Sequence, residues 1–186
     1  MRRQDLPPDL RRRFRTGRPC LDFTHTGGEG EFAAWELLHE PADVARFLGV
    51  VVGVDGLRVR RADLPAVRRL RGAITRAARL AASGGSAAGA DVAAINAAAD
   101  HAPLVPRLTA GGESTLVPGT ARQALSALAR DAIDLFSSPL AGRIRVCAAD
   151  DCGLLFVDAS RPGRRRWCSM ERCGDRAKKR KARGHG

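Results

Sequence analysis

Four cysteines towards the C-terminal end constrain this chain more than any other feature. They form two pairs with the same C-x4-C spacing, Cys147 with Cys152 and Cys168 with Cys173, and all four lie within 27 residues. Structural zinc takes four ligands in a tetrahedron, with thiolate sulfurs about 2.3 Å from the ion. Each short spacer lets one turn supply two sulfurs. The two pairs together therefore predict one structural zinc site with no open position for water.

Other uses of the cysteines fit the pattern less well. Two disulfide bonds would require an oxidising compartment, and the N-terminal sequence lacks the apolar stretch of a signal peptide. A redox pair is usually spaced C-x-x-C rather than C-x4-C. The fifth cysteine, Cys20, lies far from the pairs among apolar residues, and we interpret it as a small buried hydrophobic side chain.

The residues around the pairs favour a compact finger. Residues 144–147 and 154–157 have strand character, and Trp167 is placed to cover the metal beside Cys168. Ser169 is expected to cap the helix that begins near the second pair. The order of strand, knuckle, hairpin, second knuckle and helix is typical of a treble-clef-like, four-cysteine zinc finger.

The second pair also carries a resemblance to a known family. The sequence RWCSMERCGDRAK, from Arg166 to Lys178, resembles the CGNR zinc finger of bacterial proteins. In that family the finger follows a helical, ligand-binding-like region called the ABATE domain. Residues 20–26 (CLDFTHT) and 36–45 (ELLHEPADVA) are similar to the opening strand and first helix of that domain. The resemblance covers residues 18–183 and implies a bacterial transcription regulator linked to stress.

Two positions depart from the family pattern. Asp175 stands where the family has the asparagine of its motif, so a negative charge lies beside the basic segment. His25 stands where the opening motif usually carries asparagine, which changes a polar group that would face a ligand.

Positive charge is concentrated at the two ends of the chain. The formal net charge is +12; residues 1–18 carry +5 and residues 161–186 carry +9, whereas residues 19–160 carry −2. We interpret residues 1–18 as a flexible basic arm. Residues 171–183 are expected to form a helix that fits the major groove and releases counterions at each phosphate contact. The predicted nucleic-acid-binding residues are Arg164, Arg165, Arg166, Arg172, Arg176, Lys178, Lys179, Arg180, Lys181 and Arg183.

Residues 19–140 are predicted to form a mostly helical α+β domain, followed by the finger in residues 141–186. Aromatic residues make up only 4% of the chain, which favours closely packed helices over a sheet sandwich. Thr120 and Gln123 have the spacing of a capping box and predict a long helix. The expected elements are a strand over 18–26, helices over 41–48 (stopped by Gly49), from Asp63, over 91–100 and over 120–137, and a hairpin joining 104–109 to 114–117.

No catalytic pattern stands out, so we do not expect an enzyme. The four histidines are scattered, and they match no metal-protease or deaminase motif. A small-molecule pocket in the helical domain would have Asp22, His25 and Trp35 as its first candidate residues, with a core or surface role as the alternative for each. Strand alternation would place Asp22 and His25 on opposite faces.

These observations predict a one-component regulator. A helical domain senses a small molecule or forms a homodimer, and a structural zinc finger binds double-stranded DNA. The alternative is a zinc-stabilised protein-interaction module whose basic helix binds an acidic partner without DNA. RNA is less favoured, because the chain has no tyrosine and few aromatic residues for base stacking. No apolar run is long enough to span a membrane, and a cytoplasmic, nucleoid-associated location is expected.

Overall fold

The computed structural model describes residues 16–183, except for the side chains of Glu31, Arg172 and residues 181–183. Most of the predicted basic arm (residues 1–18) and the last three residues fall outside this range. The helices are α1 (Pro19–Thr24), α2 (Pro41–Val52), α3 (Leu64–Ala82), α4 (Gly89–Ala99), α5 (Ala121–Ser137) and α6 (Asp175–Arg183). The strands are β1 (Pro106–Leu108), β2 (Ser114–Leu116), β3 (Ile144–Val146) and β4 (Leu155–Val157). Shorter 3-10 helices span Gly30–Trp35, Arg61–Asp63 and Pro139–Arg143, and a π-helix spans Met170–Gly174.

Helices α3 and α5 form the centre of the helical domain. Each carries one apolar face, and α1, α2 and α4 pack against them. Helix α5 begins as its capping box predicts: Gln123 Oε1 accepts a hydrogen bond from the Thr120 backbone, and Thr120 Oγ1 accepts one from the Gln123 backbone. The mostly helical α+β fold with a small C-terminal finger is thus confirmed. None of the helices in residues 16–183 is both long and apolar enough to cross a membrane.

The predicted opening strand was wrong, because residues 19–24 form helix α1. Pro19 occupies its first turn, where the missing N–H has no helical partner to lose. Every residue from Cys20 to Thr26 is buried, between α3, α5 and β4. A segment buried on all sides has no apolar periodicity from which to tell helix from strand.

The sequence predicted that Gly49 ends the second helix, and this prediction was wrong. Helix α2 continues to Val52 and ends at Gly53, whose φ of 74° lies in the left-handed region that favours glycine. Gly49 has a different role: a Cβ there would lie 2.7 Å from the carbonyl oxygen of Val54. The chain therefore needs glycine at 49 so that residue 54 can fold back onto the helix.

The two small hairpins lie on different parts of the molecule. Strands β1 and β2 pair antiparallel, within the predicted hairpin between residues 104 and 117. Strands β3 and β4 pair antiparallel on either side of the first cysteine pair, with Ile144 opposite Val157. Ile144, Leu155 and Val157 are buried in the same apolar core as α3 and α5. The finger and the helical domain thus share one core.

Candidate metal centre and nucleic-acid interface

The fold brings the four C-terminal cysteines into one buried cluster. Their Sγ atoms all lie within 4.8 Å of one another. The Sγ of Cys168 is 3.7 Å from that of Cys152 and 3.6 Å from that of Cys173. Sulfurs bound tetrahedrally to one zinc ion would be about 3.8 Å apart, because each Zn–S bond is about 2.3 Å. The cluster thus fits a single four-coordinate metal ion, whereas Cys20 lies in the main core away from it.

The thiols are too close together to ionise freely. The hydrogen bond with Cys152 lowers the pKa of Cys147, whereas the bond with Cys147 raises the pKa of Cys152 to about 12 and raises the pKa of Cys168 as well. Like charges this close oppose ionisation. A divalent cation removes that obstacle, and its binding releases the protons.

Two N–H donors, one from the backbone and one from an arginine, offset the negative charge of the sulfurs. The backbone N–H of Cys168 donates to the Sγ of Cys147 over 3.4 Å, and Arg176 Nη2 donates to the Sγ of Cys173 over 3.5 Å. This second bond raises the pKa of the Arg176 guanidinium. Four thiolates around one divalent ion carry a net charge of about −2, so such donors stabilise the filled site.

Both tryptophans of the chain pack against the cysteine cluster. Trp167 is adjacent to Cys168, as predicted. Trp35 comes from the 3-10 helix Gly30–Trp35 of the N-terminal domain, so the predicted pocket residue lies at the metal centre instead. Phe156, fully buried in β4, completes the apolar surroundings.

The second cysteine pair leads into α6 through a π-helical turn, Met170–Gly174. Ser169 occupies the position before this turn, but its side chain makes no capping hydrogen bond; its carbonyl oxygen accepts from the N–H groups of Cys173 and Gly174 instead. A Cβ at Gly174 would lie 3.2 Å from Trp167 and 2.6 Å from the Met170 sulfur. Glycine at 174 lets the tryptophan close over the cluster.

The predicted nucleic-acid-binding residues divide into two groups. Arg165 is held inside the finger: its Nε donates to the Trp167 carbonyl over 2.8 Å, its Nη2 donates to the Cys168 carbonyl, and its guanidinium lies 4.6 Å from the centre of the Phe156 ring. Arg176 pairs with Asp151 at 2.9 Å, and Arg180 lies 3.8 Å from Asp150. Arg165 is therefore a structural part of the finger, whereas Arg176 and Arg180 are exposed and lie near acidic residues between Cys147 and Cys152.

The other basic residues face solvent. Lys178 and Lys179 are exposed, and no ion pair is seen for either within residues 16–183. Lys178 lies about 200° around the helix from Arg176, at about 100° per residue. Lys178 therefore points away from Asp150 and Asp151, which lie between Cys147 and Cys152. Arg164 and Arg166 are also exposed, with Arg166 against the Trp167 ring. Asp175 is exposed in the first turn of α6. The side chains of Arg172, Lys181 and Arg183 are not among those described.

The predicted pocket residues are not brought together. His25 is 2% exposed and lines a cavity of about 480 Å³ between the helical domain and the finger. Its Nε2 donates to the Leu155 carbonyl over 2.8 Å. Asp22 does not line this cavity; its Oδ1 accepts from the Thr16 N–H over 3.0 Å. Because α1 is helical, the opposite-face argument for Asp22 and His25 does not apply.

The main wall of this cavity comes from α3 and was not predicted from the sequence. The wall residues follow the helical spacing i, i+3, i+4, i+7, i+8 and i+11: Arg68, Arg71, Gly72, Thr75, Arg76 and Arg79. This spacing is visible in the sequence and places the six residues along one side of α3. Residues 27–36 and the segment just after Cys152 form the remaining sides.

Comparison with protein-family models gives two matches. The first, ABATE, described as "Putative stress-induced transcription regulator", covers residues 17–139. The second, the CGNR zinc finger, covers residues 143–185 and contains all four clustered cysteines. No curated protein matches the chain. The resemblance seen in the sequence is confirmed: the chain belongs to the ABATE family and carries a CGNR zinc finger over residues 143–185.

Proposed function

We propose that this protein is a DNA-binding transcription regulator whose finger is built around one structural zinc ion. Four thiolates suit zinc, and they leave no coordination position for a substrate, so the metal would hold the fold rather than carry out chemistry. The observation that carries the proposal is a set of exposed basic residues: Lys178 and Lys179 lie on α6, which is anchored to the metal cluster, and Arg164 and Arg166 lie in the segment before Cys168.

The anchoring matters because a fixed helix loses little entropy when it binds. Arg176 donates to the Cys173 sulfur, so the first turn of α6 is tied to the cysteine cluster. The nine residues of α6 span about 14 Å at about 1.5 Å each. A helix of this size fits the major groove, and lysines suit phosphate contacts. Contacts of this kind give affinity and a salt dependence without choosing a base sequence.

The helical domain would carry the regulatory signal. It shares its core with the finger, and Trp35 and His25 both reach from it to the finger. A ligand or partner that changed this domain would therefore change how the finger is presented.

The first experiment compares duplex-DNA binding by three forms of the protein. These are the zinc-loaded wild type, the chelated wild type and a Cys173→Ala variant, with Cys20→Ala as a control that removes a buried thiol outside the cluster. We expect wild type and Cys20→Ala to bind, with a log–log salt slope of about −0.9 per phosphate contacted. The chelated protein and Cys173→Ala should lose binding.

A different result would contradict the regulator. If folded, zinc-loaded protein failed to bind duplex DNA even at low salt, the basic surface would have another partner. The alternative, a protein-interaction module whose basic helix binds an acidic protein, would then be favoured. The zinc-loaded protein would be used as bait to capture that partner.

A further inference from the structure

DNA binding does not explain the cavity between the helical domain and the finger. Its volume of about 480 Å³ falls within the usual range for small-molecule sites, about 300–1,000 Å³. A bare inorganic anion would fill only a small part of it, since one water molecule takes up about 30 Å³ in the liquid.

The cavity has an excess of positive charge. Arg71 is neutralised by Glu36, with Nη1–Oε1 and Nη2–Oε2 distances of 2.8 and 2.5 Å. Arg76 is paired with the carboxylate of Asp91, 2.7 Å away, and lies 3.6 Å from the carboxylate of Glu29, which also lines the cavity. For Arg68 and Arg79, the part of the chain that the structure describes supplies no carboxylate within ion-pair distance. An anionic ligand would supply a carboxylate at ion-pair distance to one or both of these guanidiniums.

The same cavity has an apolar side. Phe32, Leu154 and Leu155 line it, and the guanidinium carbon of Arg79 lies 4.7 Å from the centre of the Phe32 ring. Two features favour glycine at 153: its φ of 62° lies in the left-handed region, and a Cβ there would lie 3.3 Å from the Phe32 ring. Apolar surface beside unpaired arginines suits a molecule with a hydrocarbon body and an acidic group.

We propose that this cavity binds a small carboxylic acid, with its carboxylate on Arg68 or Arg79 and its hydrocarbon body against Phe32 and Leu154. Arg68 and Arg79 are eleven residues apart on α3, roughly 16 Å along the helix axis. A monocarboxylate would pair with one of them, and a dicarboxylate could bridge towards both.

The geometry also gives a route from the ligand to the finger, and this part rests on the proposed function. Arg79 Nη2 donates to the carbonyl of Gly153 over 3.1 Å, immediately after the metal-site residue Cys152. His25 holds the carbonyl of Leu155 two residues later. A carboxylate that paired with Arg79 would compete with the Gly153 carbonyl for this guanidinium. Occupancy of the cavity would therefore weaken the hydrogen bond that fixes the segment after Cys152.

Binding is tested without DNA. The zinc-loaded, full-length protein is titrated calorimetrically with aliphatic and aromatic mono- and dicarboxylic acids of about three to ten carbon atoms, each beside the amide of the same skeleton. We expect at least one acid to bind with a Kd below about 1 mM and its amide to bind at least about tenfold more weakly. The proposal is overturned if no acid binds, or if acids and amides bind equally.

A matched pair of variants locates the site. Arg68 and Arg69 are adjacent and both exposed, but only Arg68 lines the cavity. Of Arg68→Gln and Arg79→Gln, the variant that removes the guanidinium holding the carboxylate should weaken binding of the acid at least about fivefold, and Arg69→Gln should leave it unchanged. If neither Arg68→Gln nor Arg79→Gln weakens binding more than Arg69→Gln does, the proposed placement of the carboxylate is overturned.

The coupling between acid binding and DNA binding is measured last. DNA affinity is determined with and without a saturating concentration of the acid. Linkage requires that the DNA change the affinity for the acid by the same factor. An acid that binds the cavity without altering DNA affinity would overturn the coupling alone. Protein that binds the acid but no DNA would overturn the regulator while leaving the cavity site in place.

Discussion

His25 donates a hydrogen bond from Nε2 to the backbone carbonyl of Leu155, across 2.8 Å and in a fully buried setting. The histidine follows helix α1 of the N-terminal domain, and Leu155 begins strand β4 of the finger. This bond joins segments 130 residues apart in sequence. The finger is therefore not an appendage on a linker, and its stability should depend on the helical domain.

Replacement of His25 tests that dependence. His25→Ala would leave the buried Leu155 carbonyl without its donor and open a small cavity. We expect it to lower the free energy of unfolding by about 2–4 kcal/mol, measured by urea denaturation of the metal-loaded protein. The exposed histidine His39 is the control, and His39→Ala should change stability by less than about 0.5 kcal/mol. Equal stabilities of the two variants would show that the bond does not hold the finger.

Tryptophan fluorescence should report metal binding directly. The chain has two tryptophans and no tyrosine, and both tryptophans pack against the cysteine cluster. We expect chelation of the metal to shift the emission to longer wavelength as the rings become hydrated, and added zinc to reverse the shift. Trp35→Phe should keep part of the response through Trp167. An emission spectrum that is the same with and without metal would contradict the packing described here.

The Arg71–Glu36 ion pair should make stability depend on pH. Burial alone would raise the pKa of Glu36. Hydrogen bonds from Arg71 and from the Leu38 N–H, together with the positive charges of Arg71 and Arg68, outweigh burial and hold the pKa of this carboxyl below its usual value. The stabilising contribution of Glu36 is therefore present above about pH 4.3, the ordinary glutamate pKa, and is lost as pH falls through the lowered value. Glu36→Gln leaves a buried guanidinium without its counter-ion, and we expect it to destabilise the protein by about 3 kcal/mol at neutral pH.

The direction of this pH dependence can be checked by comparing the unfolding free energies of wild type and Glu36→Gln at each pH. That difference in unfolding free energy should be constant above about pH 5 and should shrink below about pH 4.3. Metal loss in acid affects both proteins, so it largely cancels in the difference. The control is Glu29→Gln, since the side chain of Glu29 is 86% exposed. A difference that stayed constant down to about pH 3 would argue against an ionised Glu36 in the folded protein.

The acidic residues of the first knuckle should restrain DNA binding. Asp151 lies 2.9 Å from Arg176 and 4.0 Å from Arg180, so its carboxylate competes with phosphate for both arginines. We expect Asp151→Asn to raise DNA affinity roughly threefold at low salt, and we expect the gain to fade as salt screens the charges. Asp100→Asn, the same charge change outside the finger, should have no effect. Unchanged or weaker binding by Asp151→Asn would show that the carboxylate does not compete.

Features of the fold that depend on local sequence signals were predicted, and features that depend on distant parts of the chain were not. The cysteine spacing, the capping box of Thr120 and the turn-rich hairpin are local signals, and each was confirmed. Helix α1 was missed because it is buried on every side, and Gly49 was misread because its role depends on the distant backbone of Val54.

The same distinction applies to the candidate metal centre and the basic residues around it. The four clustered cysteines follow from spacing, but the roles of the arginines depend on tertiary neighbours. Nothing local distinguishes Arg165, which is bonded to the Trp167 carbonyl, from Arg164 and Arg166, which face solvent. The cavity was missed because its walls come from three separate segments of the chain.

The most direct test of the account is the salt dependence of duplex-DNA binding when the exposed lysines are removed. Zinc-loaded wild type is compared with Lys178→Gln/Lys179→Gln and with the control Arg60→Gln/Arg61→Gln, an equal charge change at two exposed residues outside the finger. We predict that the lysine variant lowers the log–log slope by about 1.8, about 0.9 for each lost phosphate contact, while the control keeps the wild-type slope. If all three proteins give one slope, or if wild type does not bind at low salt, α6 is not the DNA-binding surface.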